Sequence, residues 1–356
     1  MSKTRVIMTG PMPPAIGGMA TVLEDLKNSK LAEQVTLEFF NTFKTTAEGR
    51  SLFIAVKSKL LLWSKWILLI RGQQQTIVHI HTCSGFTFFL DSVLVCLARM
   101  SSRPVVLHIH GGRFLEFLDG LNPLLLGIVR RVFGACQRIV VLSDYWQKSL
   151  TDRLGKFAFS VVENGVPIYA LQKQDSKEKV QILFLGNLSR MKGVFDLITA
   201  MQKIEGAVLN LVGGEDEKGV FLEIEQLINK HQLEDKILIH GPQYGEAKNS
   251  FLQVADIFVL PSYAEALPIS MLEAMAQGLP VIVSGVGSIP SVITSEQEGF
   301  IVEPGQIDEL IQAINDLVND AVLRDKMGVA GRKRCEQQFG IDLTVSKLMK
   351  IYSEIT

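Results

Sequence analysis

Two carboxylates, Glu265 and Glu273, stand in the otherwise apolar stretch VLPSYAEALPISMLEAMAQGLPVIVSG (259–285). Two cations, Arg190 and Lys192, stand in the turn of FLGNLSRMKGVFDL (184–197). A carboxylate accepts hydrogen bonds on both oxygens and suits hydroxyl donors such as those of sugars. Cations beside a helix start suit a diphosphate, above all one that gains charge as it leaves. Pro268 fits the first turn of a helix, where a missing N–H costs nothing. The backbone N–H groups around Leu267 to Ser270 are then free to bind an anion such as phosphate, with Ala266, Leu267 and Pro268 as candidate binding residues. Glu265 lies just outside that helix start, and Glu273, six residues past Leu267, lies about 9 Å along its axis. One carboxylate on each side of a phosphate-sized site fits a ligand with sugar, diphosphate and ribose in series. The plainer alternatives are a helix-terminus charge at Glu265, an exposed helix face at Glu273 and a solvated basic turn at Arg190 and Lys192.

A third stretch, TGPMPPAIGGMATVLEDL (9–26), places Gly17 and Gly18 ahead of a helix, where backbone can approach a ligand closely. It is neither G-x-G-x-x-G nor a Walker pattern, which argues against a nicotinamide dehydrogenase or an NTPase. The tripeptide HIH occurs twice, as His79/His81 and His108/His110. Residues two apart in a strand share a face, so a zinc site across neighbouring strands is conceivable. No Cys or carboxylate joins them, no D-x-D occurs, and GGEDEKG (213–219) reads as a turn into a helix. The expectation is metal-free chemistry, with cationic side chains and helix ends in the metal's role.

These residues need strands and helices to position them. Short Val/Ile/Leu-rich runs alternate with helical patterns along the whole chain: RVIMTG, TIVHIHT, PVVLHIHGG and RIVVLS in the first half, QILFLG, VLNLVGG, KILIHG, DIFVLPS and PVIVSG in the second. Continuous apolar runs of this length read as buried parallel strands. Two series of βα units imply an α/β protein with two doubly wound sheets, in which ligands bind after the carboxyl ends of strands. The expected domains are 1–172 and 173–340, broken within NGVPIYALQKQDSKEKV (164–180), with a final helix at 341–356 returning to the first domain.

The chain has 356 residues, 47% of them hydrophobic, enough for two cores. The net charge of −1 gives no sign of nucleic-acid binding. Up to residue 172 there are 19 Lys+Arg against 11 Asp+Glu, a balance of +8; the rest has 17 against 26, a balance of −9. Different partners for the two halves follow. The four cysteines are scattered without C-x-x-C, which fits a reducing cytoplasm. The start MSKTRVIMTG has no long apolar region and reads as no signal peptide. KLLLWSKWILLIRG (59–72) is too short and interrupted to span a bilayer. With Lys57, Lys59, Lys65 and Arg71 around Trp63, Trp66 and the leucines, segment 51–72 reads either as a helix lying on an anionic membrane or as one packed on the first sheet.

Taken together, the Gly-Gly loop, HIHGG, VVLS, NGVP, GNLSRMKG and the E-x7-E segment EALPISMLE resemble the family 4 glycosyltransferases over nearly the whole chain. The resemblance implies the GT-B fold, two Rossmann-like domains facing across a cleft. It also implies retaining transfer of a hexose or N-acetylhexosamine from a UDP-sugar, or less readily a GDP-sugar, with no cofactor. The acceptor is expected to be a glycan, plausibly lipid-linked, in bacterial surface polysaccharide or lipopolysaccharide assembly. The enzyme is then expected in the cytoplasm, peripheral on the inner face of the cell membrane. By the same resemblance, Glu273 binds the donor ribose and Glu265 the donor sugar on the reacting face. Arg190 and Lys192 neutralise the diphosphate, Gly17 and Gly18 approach it, and His110 contacts the donor sugar or places the acceptor. Many relatives carry a basic residue where this chain has Asn187, so Arg190 is expected to supply that charge. The rival expectations are a sugar-nucleotide epimerase or glycogen-type synthase on the same fold, and a silent membrane-bound partner in an assembly complex.

Overall fold

The computed structural model describes residues 3–12, 15, 17–42, 52–71, 75–171 and 178–356. The chain forms two compact units: Met1–Ala15, Met19–Glu163 and Asp342–Thr356 make the first, Ile16–Gly18 and Asn164–Ile341 the second. The chain changes unit at Glu163/Asn164, ahead of the 172/173 boundary expected from the sequence. Hydrogen bonds tie the intervening segment to the second unit. Asn164 Nδ2 donates to Leu267 O at 2.8 Å, Val166 N to Phe339 O at 2.8 Å and Arg332 Nη2 to Tyr169 O at 2.8 Å. The rest of the expected linker, 172–177, lies outside the described residues.

The first unit runs β1 (Arg5–Gly10), α1 (Gly18–Lys27), α2 (Leu31–Gln34), β2 (Thr36–Asn41), α3 (Leu52–Ile70), β3 (Thr76–Thr82) and α4 (Phe86–Met100). It continues through β4 (Val105–Ile109), α5 (Phe114–Asp119), α6 (Pro123–Ala135), β5 (Arg138–Val141), α7 (Asp144–Leu154) and β6 (Phe159–Val161). Its six strands pair in parallel in the order β2-β1-β3-β4-β5-β6. Every residue of β1, β3 and β4 is buried, which is why these strands carry apolar residues on both faces rather than alternating, and why His79, His81 and His108 lie inside.

The second unit runs β7 (Val180–Leu185), a 3-10 turn (Arg190–Lys192), α8 (Val194–Met201), β8 (Ala207–Val212), α9 (Val220–Lys230), β9 (Ile237–Gly241) and α10 (Gly245–Val254). Then come β10 (Ile257–Leu260), α11 (Ile269–Ala276), β11 (Val281–Ser284), α12 (Ile289–Val292), β12 (Gly299–Val302), α13 (Ile307–Asn319) and α14 (Ala321–Gln338). Its sheet is again parallel, in the order β12-β11-β10-β7-β8-β9. The last helix, α15 (Ile341–Ile355), belongs from Asp342 onward to the first unit. Ion pairs hold it there: Lys30 with Asp342 at 2.6 Å, Arg138 with Glu354 at 2.7 Å, and Lys347 with Glu163.

Helix α3 is apolar on more than one face. Trp66 and Ile70 are fully buried, and Trp66 Nε1 donates to Leu94 O of α4 at 3.2 Å. Val56, Leu60, Leu61 and Leu68 are exposed on the same helix. Among the described residues, no helix is long and apolar enough to cross a membrane.

Candidate active site

The chemistry-bearing residues of the second unit sit on loops that close packing leaves little freedom. The basic turn ends in Gly193 at φ 71°, and a Cβ there would lie 2.1 Å from Pro261 O. Only glycine tolerates both the left-handed backbone and that approach. Tyr263 N donates to Met191 O at 2.8 Å, so this turn and the loop after β10 are joined backbone to backbone. Gly287 holds the other side of that loop, where a Cβ would lie 1.9 Å from Glu265 O.

The result is a cluster of three side chains. Lys192 Nζ donates to Glu265 Oε1 at 2.5 Å, and Ser262 Oγ donates to the same oxygen at 2.9 Å. The Glu265 side chain is only 8% exposed. A carboxylate that deep is tolerable because a cation and a hydroxyl compensate its lost hydration. A carboxylate offers about four acceptor positions and an ammonium three donors, so the cluster keeps capacity for ligand hydroxyls and phosphate oxygens.

Eight residues along, Glu273 lies on α11 and pairs with Lys248 of α10. Both side chains are largely buried, at 12% and 17% exposure. Glu273 is therefore not the solvated helix face that the plainer alternative required. Pro268 takes the N-cap of α11, one residue before its first turn, with extended backbone at φ −68° and ψ 120°. The early N–H groups of a helix have no intrahelical partner and can face a ligand. Ala266 and Leu267 are buried, so their backbone rather than their side chains is what such a ligand would meet.

Arg190 is placed differently. Its guanidinium donates to Glu223 Oε2 of α9 at 2.5 Å and lies 4.3 Å above the Phe195 ring, with the side chain 69% exposed. Asn187 Nδ2 donates to Asp216 Oδ1 at 3.1 Å. Of the two cations, Lys192 alone is joined to Glu265. Lys248, Ser262, Glu223 and Asp216 are not singled out as site residues by the sequence. Each partners a residue distant in sequence or, like Ser262, looks like an ordinary strand end. Gly17 and Gly18 stand at the start of α1 and group with the second unit.

In the first unit the four HIH histidines form one cluster over β3 and β4, where His81 pairs in register with His108. His79 Nδ1 lies 2.6 Å from Tyr352 Oη of α15, His79 Nε2 lies 3.3 Å from His108 Nδ1, and His81 Nδ1 lies 2.9 Å from His110 Nε2. Burial pushes His79 and His110 down to about 3 and holds His81 and His108 well below the usual histidine value. The imidazoles are thus neutral at physiological pH, and His110, half-buried just after β4, offers a neutral hydrogen-bonding ring. Donor nitrogens of His79, His81 and His108 lie within 4.8 Å of one another. Several of the rings lie nearly parallel, and His81 Nε2 and His108 Nε2 are buried without a hydrogen-bond partner among the described residues.

Residues 170–334 match the family described as Glycosyl transferases group 1, and residues 16–168 match Glycosyltransferase Family 4. The capsular polysaccharide biosynthesis glycosyltransferase CapM of Staphylococcus aureus is 27% identical over 84% of this chain and 82% of its own. The UDP-Gal:alpha-D-GlcNAc-diphosphoundecaprenol alpha-1,3-galactosyltransferase of Escherichia coli is 28% identical over 87% of this chain and 82% of its own. The fold is similar to that of HepE from Anabaena in complex with UDP, with a TM-score of 0.77 at 16% identity, covering 98% of this chain and all of that one. With two parallel six-stranded sheets of GT-B type and a glycosyltransferase match on each half, the chain belongs to the family 4 glycosyltransferases.

Proposed function

We propose that this glycosyltransferase moves a hexose or N-acetylhexosamine, with retention, from a UDP-sugar to a lipid-linked glycan in surface polysaccharide or lipopolysaccharide assembly. The observation that carries the reading is the Lys192–Glu265–Ser262 cluster, with the Glu273–Lys248 pair eight residues along. Support for the substrates comes from the relatives. The Escherichia coli relative is named for a UDP-galactose donor and a diphosphoundecaprenol-linked acceptor, the Staphylococcus aureus relative for capsular polysaccharide.

In this reading Glu273 accepts from the two ribose hydroxyls, and Lys248 keeps its carboxylate oriented. The α11 start and Lys192 hold the diphosphate. Glu265 accepts from hydroxyls of the donor sugar. The acceptor hydroxyl attacks the anomeric carbon on the face from which the diphosphate departs. The new C–O bond forms as the C–O bond to phosphate breaks, and the acceptor proton passes to the departing phosphate oxygen. Lys192 lies where charge grows on that oxygen, so its stabilisation is greater in the transition state than in the ground state. His110 gives a neutral hydrogen bond to a sugar hydroxyl. Arg190, engaged by Glu223, adds long-range positive charge rather than direct contact. No metal is required for this division of labour.

The test is incubation with UDP-sugars and a diphosphate-linked saccharide, following UDP release and the anomeric configuration of the product by NMR. An axial linkage from an axial donor, formed equally well in EDTA, is expected. Inverted product would overturn retention, loss of activity in chelator would overturn the metal-free route, and sugar epimerisation without transfer would favour the epimerase reading. A peripheral membrane position is supported by the exposed leucines of α3 beside Lys57 and Lys65.

A further inference from the structure

Inside the first unit, a cavity of about 290 Å³ lies between α3 and α4. Its floor is formed by residues that follow strands: Pro11 after β1, Thr42 after β2 and Cys83 after β3. Carboxyl ends of parallel strands are where ligands bind in such sheets. Its walls set Leu62 and Trp63 from α3 against Leu90 and Leu94 from α4, with Lys59, Thr87 and Asp91 as the polar side chains among them. The buried acid, Asp91, turns its Oδ2 to the Thr82 hydroxyl at 2.8 Å, back toward the end of β3. Over the leucine and tryptophan part of that lining a monosaccharide would bury hydroxyls without partners, each one costly. A hydrocarbon would not.

We propose that this cavity holds the head-proximal carbons of a prenyl or alkyl chain on the acceptor, an inference that rests on the lipid-linked reading above. Its size fits. An apolar cavity of about 150 Å³ holds benzene, so about 290 Å³ holds on the order of ten carbons, or two isoprene units. Its position on α3 fits as well. One face of that helix, with Leu62 and Trp63, lines the cavity, while Leu60, Leu61 and Leu68 stand exposed beside Lys57 and Lys65. A chain leaving the cavity over α3 passes onto an apolar surface bordered by cations, as a lipid entering from an anionic bilayer requires. The same helix thus carries the chain's inner site and its approach.

The experiment compares two acceptor analogues, the same saccharide diphosphate bearing a methyl group or a decyl chain, below micellar concentration. In the wild type the decyl chain should lower KM by at least roughly 100-fold, the gain of only three to four of its methylenes being fully buried. Two filling variants, Leu90→Trp and Thr87→Trp, should cut that gain below about tenfold while leaving kcat and the KM of the methyl analogue unchanged. Retention of the full gain in both variants would overturn the cavity assignment and leave the lipid-linked reading standing. No chain effect in the wild type, with the methyl analogue still turned over, would also overturn it. If neither analogue is a substrate, the acceptor reading fails, and the cavity is judged by titrating decyl phosphate against tryptophan fluorescence. Saturable binding abolished by Leu90→Trp supports it, and equal or absent response in wild type and variant refutes it.

Discussion

Replacing Glu273 by Ala should separate its proposed binding role from the structural one it has in its pair with Lys248. In the proposed site the carboxylate accepts from two ribose hydroxyls. Hydrogen bonds to a charged group contribute about 1.5–3 kcal/mol, so UDP affinity should fall about 10- to 150-fold. The free nucleotide and the intact UDP-sugar should lose alike, since both carry the ribose. Glu273→Ala also strands Lys248, whose side chain is only 17% exposed. Removing one partner of a fully buried pair costs about 3–5 kcal/mol; partial exposure brings the expected loss of stability to about 2–3 kcal/mol. The double variant Glu273→Ala/Lys248→Met removes the stranded charge and should recover most of that stability, without recovering affinity. Calorimetry with UDP and urea unfolding read the two quantities separately. A Glu273→Ala protein with unchanged UDP affinity would refute the ribose role. Recovery of affinity in the double variant would show that the single variant had acted through distortion alone.

Gly193→Ala should destabilise the second unit by at least about 2 kcal/mol and depress turnover, because its Cβ would meet Pro261 O at 2.1 Å and shift the Lys192 turn; normal kcat with normal stability would contradict the locking of that turn. Burial raises Asp91 to about 7, against the lowering influence of the Thr82 hydroxyl and Lys59. A carboxyl raised in the folded state contributes stability present below its unfolded value near 3.8 and lost as pH rises through about 7. Asp91→Asn should therefore gain on the wild type by about 2–4 kcal/mol between pH 4 and pH 8 in urea unfolding, and a constant difference across that range would contradict the burial argument. Replacing Lys57 and Lys65 by Glu should release the protein from anionic vesicles in a sedimentation assay, and wild-type binding should weaken as salt screens charges beyond about 8–10 Å. Equal pelleting of both proteins would leave α3 a packed helix only.

Among the described residues, nine of the twelve strands were legible in the sequence, and the three that were not share a physical cause. β2, β6 and β12 are edge strands of their sheets. β6 has only three residues, and β12, GFIV, starts on glycine and is half-buried at its centre. β2 is mostly half-exposed, so it lacks the continuous Val/Ile run that burial on both faces imposes. β9, an edge too, was legible because ILIH keeps that run. The site divides in a similar way. Glu265 and Lys192 were legible because each sits at a strand-to-helix turn, where charge has a local meaning, and the structure brings them together across 73 residues. Lys248 was not, because on its own helix it reads as one polar residue among several in GEAKNSFLQV. Its meaning lies wholly in Glu273, which local pattern does not connect to it. For Arg190 the local signal was present but incomplete, since Glu223, which engages it, lies on α9.

In the proposed mechanism Lys192 is the group that stabilises the departing diphosphate. Lys192→Met keeps the stem and removes the charge, so the decisive measurement is its kcat beside its Kd for the UDP-sugar. Loss of a donor aimed at developing charge costs about 100- to 1,000-fold in kcat. We expect a fall of that size with donor Kd changed less than about tenfold, as an interaction gained mainly in the transition state demands. A Lys192→Met enzyme that binds donor normally and turns over within about threefold of the wild-type rate would contradict it.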